Sequence, residues 1–77
     1  MISRNKILKL NKSLKKGDQK AIAELTGISA QTVNRFLNGS DDSVSAETAS
    51  LIIINASKII NKRNKIIAAS EKIINSI

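Results

Sequence analysis

The sequence predicts an all-α domain of about four helices, the last of them long. Three observations lead there. The chain has no proline, so its three glycines and its Ser/Asp clusters do the punctuating. They fall at Gly17-Asp18, at Thr26-Gly27-Ile28-Ser29 and at Asn38-Gly39-Ser40-Asp41-Asp42, leaving four uninterrupted segments. From residue 43 to residue 77 there is neither Gly nor Pro, and nowhere do apolar and polar residues alternate as in a strand.

The first segment runs up to Gly17-Asp18. Ile7, Leu10 and Leu14 share one helical face by their i, i+3, i+7 spacing, and Lys9, Lys12 and Lys16 fall roughly opposite. Seven of the thirteen basic residues lie between Arg4 and Lys20. A single basic face is the footprint of contact with nucleic-acid phosphates, for which Lys9, Lys12, Lys16 and Lys20 are the candidates. The plainer alternative is an amphipathic helix whose lysines are simply solvated.

The second and third segments are short and joined tightly. Asp18 suits the N-cap of a helix through Thr26, and Gly27 suits the left-handed position that ends it. Ser29 then caps a third helix, Ala30–Leu37, which Asn38-Gly39 stops in the same way. Two short helices around a tight glycine turn describe a helix-turn-helix. Ala23, four residues before Gly27, is small enough to let the helices cross closely. Ile22, Ile28, Val33 and Phe36 supply the apolar contacts that hold the crossing. Gln31, Thr32, Asn34 and Arg35 are left on the other face, a set equipped to meet base edges. The alternative is an ordinary helical hairpin with a wet polar face.

Residues 21–38, reading AIAELTGISAQTVNRFLN, resemble the DNA-binding headpiece of the lac repressor family. Val44-Ser45-Ala46-Glu47-Thr48, leading into an apolar helix with Ala56, is similar to that family's next helix, so the resemblance covers roughly residues 18–60. It implies a DNA-binding domain whose Ala30, Gln31 and Arg35 read the major groove. Ser29, Thr32 and Asn34 then lie near phosphates or bases, with Asn34 assigned to the bases and Ser29 and Thr32 to the phosphates. Two departures stand out. A basic helix precedes the helix-turn-helix, as in phage-repressor-like domains, and no sugar-binding domain or minor-groove hinge follows. The expectation is therefore a stand-alone regulator of phage or plasmid type without a small-molecule effector.

In the last segment Val44, Ser45 and Ala49 fit a hydrophobic staple over a serine cap, and Glu47 suits the positive end of the helix dipole. Isoleucines then pair at seven-residue intervals: Ile52/Ile53, Ile59/Ile60, Ile66/Ile67 and Ile73/Ile74. Leu51 and Ile54 add apolar surface off this stripe, so the headpiece is expected to wrap that part. Residues 1–60 thus form the DNA-binding domain, and residues 61–77 a helical extension with a stripe but no core of its own. A second copy is the simplest partner for it, which assigns Ile59, Ile60, Ile66, Ile67, Ile73 and Ile74 to a homodimer interface. Arg63 and Ser70 interrupt the seam, so an ideal coiled coil is not expected. The alternative is a break near residues 61–64 and a hairpin folding back over the headpiece.

Composition limits the function classes. Seventy-seven residues hold one domain, or one domain and a tail, and a core so small gains from oligomerisation. Cysteine, histidine, tyrosine and tryptophan are absent and Phe36 is the single aromatic, which removes the usual general base and the commonest metal ligands. Asp41-Asp42 read as loop carboxylates, and Lys20 or Lys58 would need burial to act as nucleophiles. An enzyme, a cofactor and a metal are therefore not expected. The net charge of +7 favours a polyanionic partner. No signal peptide or membrane-length apolar run is visible, so a cytoplasmic protein binding double-stranded DNA, and not membrane, is expected. The expected function is a sequence-specific transcriptional regulator, a homodimeric repressor. The competing readings are a phage architectural or excision factor and, outside nucleic-acid binding, a helical interaction module such as an antitoxin or adaptor.

Overall fold

The computed structural model describes residues 4–40 and 43–77. They form four helices: α1 (Arg4–Ser13), α2 (Asp18–Thr26), α3 (Ala30–Leu37) and α4 (Ala46–Asn75). The all-α fold with a long last helix is as the sequence predicts. Asp41 and Asp42, the carboxylates read as loop residues, lie outside the described residues.

The core is built by three helices. Ile22 of α2, Val33, Phe36 and Leu37 of α3, and Ala49, Ile52 and Ala56 of α4 are all buried. Leu37 is fully enclosed although the spacing argument did not single it out. Around them pack Ala23, Ile28, Val44, Ile53 and Ile59, with Ile7, Leu10 and Leu14 covering from the α1 side. The first helix ends at Ser13, ahead of Gly17, so Leu14 belongs to the turn and still reaches the core.

The caps explain where the helices stop. Ser29 and Ser45 accept hydrogen bonds from the backbone N–H groups of Thr32 and Thr48, at 3.2 and 3.1 Å. At the end of α3, Gly39 sits at φ 80° and donates to the Phe36 carbonyl, while the Ser40 N–H reaches the Arg35 carbonyl. This pair of bonds requires a left-handed residue at Gly39, where a side chain would be strained.

Asp18 departs from expectation. The N-cap position of α2 is Gly17, and the Asp18 carboxylate makes no cap. It accepts from the Lys15 backbone N–H at 2.6 Å and from the Arg63 guanidinium at 2.7 and 2.8 Å. A guanidinium offering two hydrogen bonds outcompetes a helix N–H for a carboxylate. Arg63 accordingly does more than interrupt the isoleucine stripe: it ties the middle of α4 to the start of α2.

The long helix is continuous over 30 residues, so the break at residues 61–64 does not occur. Leu51 and Ile54 are not wrapped: they stay 41% and 50% exposed, Ile54 beside an apolar groove shared with Ile7, Leu10 and Ile53. No helix among the described residues is long and apolar enough to cross a membrane.

Candidate nucleic-acid interface

The turn between α2 and α3 is fastened by three hydrogen bonds. The Gly27 N–H reaches the Ala23 carbonyl at 2.9 Å with Gly27 at φ 75°. The Thr26 hydroxyl donates to the Ile22 carbonyl at 2.7 Å and accepts from the Ile28 N–H at 3.2 Å. A left-handed residue after α2 turns the chain sharply, and the hydroxyl satisfies an N–H that the turn would leave unpaired. These bonds fix the angle at which α3 leaves the molecule.

That helix is divided cleanly. Val33, Phe36 and Leu37 anchor it in the core, and Ala30, Gln31, Asn34 and Arg35 are exposed. Gln31 and Arg35 lie one turn apart on the same side. Among the described residues neither side chain is hydrogen-bonded, so both are available to a ligand. Asn34 accepts from the Asn38 amide at 3.0 Å, which holds it in place on the same surface. A hollow lined by Gln19, Lys20, Ala30, Gln31, Asn34 and Arg35 joins the first turn of α2 to this face.

The predicted phosphate contacts divide into three groups. Lys20 borders the α3 face directly. Lys16 lines an adjoining hollow with Asn11, Lys15 and Gln19, so it flanks the same surface. Lys9 and Lys12 are exposed on α1, but neither lines the hollows beside α3. Ser29 and Thr32 are committed to one another: the Ser29 hydroxyl donates to Thr32 Oγ1 at 2.8 Å while capping α3. The Thr32 hydroxyl proton remains to donate outward.

Two residues hold roles that their places in the sequence do not show. Gln19 donates its side-chain amide to the Asn11 side-chain oxygen Oδ1 at 3.1 Å, joining α1 to α2 where both hollows meet. Its place next to Lys20 in the first turn of α2 was the available signal. Asp18 is the other. Partial burial raises its pKa, but the hydrogen bond from Arg63, the Lys15 N–H and the attraction of both cations outweigh this and hold the carboxyl below its ordinary value. One guanidinium nitrogen of Arg63, Nη1, is buried without a hydrogen-bond partner among the described residues.

Of the predicted interface isoleucines, Ile59 packs partly on the core and Ile60 is half-buried. Ile66, Ile67, Ile73 and Ile74 are 60%, 45%, 62% and 68% exposed.

A family model described as helix-turn-helix matches residues 7–54, from within α1 into the first half of α4. The match is to that broad family and is not specific to the lac repressor branch. No curated protein and no solved structure matches the chain.

Proposed function

Because this chain belongs to the helix-turn-helix family of DNA-binding regulators, we propose that it is a sequence-specific transcriptional regulator, a homodimeric repressor reading the major groove with α3. The observation that carries this is the split of α3: three residues locked in the core and Gln31, Asn34 and Arg35 projecting together beside Lys20. Gln pairs well with adenine and Arg with guanine, and Ala30 is small enough for the backbone to approach a thymine methyl. The likeness of residues 21–38 to a lac repressor headpiece supports the same assignment. Lys16 and Lys20 hold flanking phosphates, and Lys9 and Lys12 extend that contact along α1. Dimerisation through the exposed stripe joins two headpieces and raises their affinity by effective concentration, without new base contacts. The site of action is the cytoplasm.

Selection of bound duplexes from a random library is the test. A palindromic motif with half-site centres about 10–10.5 base pairs apart, or a multiple, is expected. Enrichment without any motif would sink specific reading. The exposed stripe favours one second reading, a protein-interaction module. Titration across salt separates the two: phosphate contact gives a steep salt slope, an adaptor none.

A further inference from the structure

The long helix carries its stripe on the same side as its headpiece. Ala49, Ile52 and Ala56 face the core, Ile59 packs beside it and Arg63 reaches α2. Residues spaced by seven drift only ~20° per interval around a straight helix. Ile66, Ser70, Ile73 and Ile77 therefore continue the line set by Ile52, Ala56, Ile59 and Arg63, out beyond the point where α2 stops covering it.

This placement decides how two copies can meet. If the helices paired in parallel and in register, each headpiece would occupy the space that the other copy's α4 needs. The two headpieces would then hold the helices apart on the shared face, so the helices could approach only beyond Arg63, converging towards their C-terminal ends. An antiparallel pair has no such conflict, because each headpiece lies past the other helix's end.

The spacing of the stripe fits this arrangement. Centred on Ser70, an antiparallel pair sets Ile66 against Ile74 of the second copy and Ile67 against its Ile73. Every isoleucine pair of the exposed segment thus meets another. Ser70, exposed and small, faces its own counterpart, where a larger side chain would hold the backbones apart. Arg63 comes opposite Ile77, and the overlap stops there because α2 covers the face beyond.

We propose that the occupant of this apolar face is a second copy of the chain, packed antiparallel with the twofold axis at Ser70 and the two headpieces at opposite ends. The proposal rests on the self-association reading above and adds direction and register to it. The contact is isologous, so it closes at two copies.

The absence of cysteine makes the register directly testable. Single variants Ser70→Cys, Ile66→Cys and Ile74→Cys alter exposed positions outside the core, and circular dichroism checks that each keeps its helices. Under mild oxidation Ser70→Cys is expected to link to itself. Ile66→Cys and Ile74→Cys are each expected to stay unlinked alone, because copies of one residue lie ~12 Å apart along the pair, beyond the ~7 Å limit of a disulfide. Mixing those two is expected to give the Ile66→Cys to Ile74→Cys heterodimer. Self-linking by Ile66→Cys as efficient as by Ser70→Cys would overturn the antiparallel register. So would a dimer in sedimentation in which neither Ser70→Cys nor the mixed pair links. A wild-type monomer in sedimentation, with no linking anywhere, would remove the self-association reading itself.

Discussion

Gln31 and Arg35 are the two side chains on the outer face of α3 with long polar reach and no hydrogen-bond partner among the described residues. Replacing either with Ala is expected to cost ~1–3 kcal/mol of binding and to relax preference at one or two base pairs. Competition binding on single-substituted duplexes reads this, and full retention of preference in both variants would move the reading surface elsewhere. These residues were legible in the sequence because the turn glycine and the apolar positions fixed which face of the helix points out. Asp18 was not. Its partner is 45 residues away, and a carboxylate at a helix start looks the same in sequence whether it caps or pairs. The pairing has a pH signature. A carboxyl held below its ordinary value stabilises the fold fully above the unfolded pKa of ~3.9 and loses that contribution as pH falls through and below it. Asp18→Asn is therefore expected to destabilise by about 1–2 kcal/mol near neutrality and to flatten the stability loss below pH ~4. Urea melts of wild type and variant across that range check this. Coincident curves would mean the pair contributes nothing.

At the level of elements, the segment ends were the readable part. The serine caps of α3 and α4 and the glycine ends of α2 and α3 are local chemistry, and local chemistry is written in adjacent residues. The end of α1 was misplaced by a few residues because Leu14 keeps the apolar spacing after the backbone has left the helix. Leu51 and Ile54 were assigned cover from their hydrophobicity alone. Helix α1 packs near that side of α4 but leaves an open apolar groove beside Ile54, so both residues stay exposed. The role in DNA contact of α1 and the turn after it, which carries Lys16, is testable as a unit. With Lys9, Lys12 and Lys16 all replaced by Gln, affinity for every duplex is expected to fall alike, and the salt slope to drop by roughly 0.9 per lost phosphate contact. Because Lys16 lines the hollow that adjoins the α3 face and Lys9 and Lys12 line neither hollow, Lys16→Gln alone is expected to account for the clearest share. An unchanged slope in the triple variant would leave these three lysines as solvated charge.

For the whole molecule, a principal extent of 51 Å against 25 and 19 Å reflects α4 running on past the headpiece. The continuity of that helix was foreseeable from the lack of Gly and Pro. What the stripe faces was not, because periodicity gives a side of a helix without saying what else lies on that side. Asp at both Ile67 and Ile74 places charge in the middle of the exposed stripe and touches no core residue. The double variant is expected to remain helical and to sediment as a monomer with only half-site affinity. Loss of helicity throughout would instead show that the extension helps hold the headpiece together.

The unbroken course of α4 also makes spacing along the helix a kind of gearing. The same rigid rod carries core contacts at Ala49, Ile52 and Ala56 and the apolar stripe from Ile66 onward, with Arg63 pinned between them. One residue inserted after Arg63 would turn the stripe by ~100° relative to the headpiece while changing the length by only ~1.5 Å. Seven inserted residues would nearly restore the angle and lengthen the arm by ~10 Å. Length changes in this arm are therefore tolerable in steps of about two helical turns and disruptive between them. In the proposed dimer, reach can change by such steps while the angle between headpiece and stripe is kept.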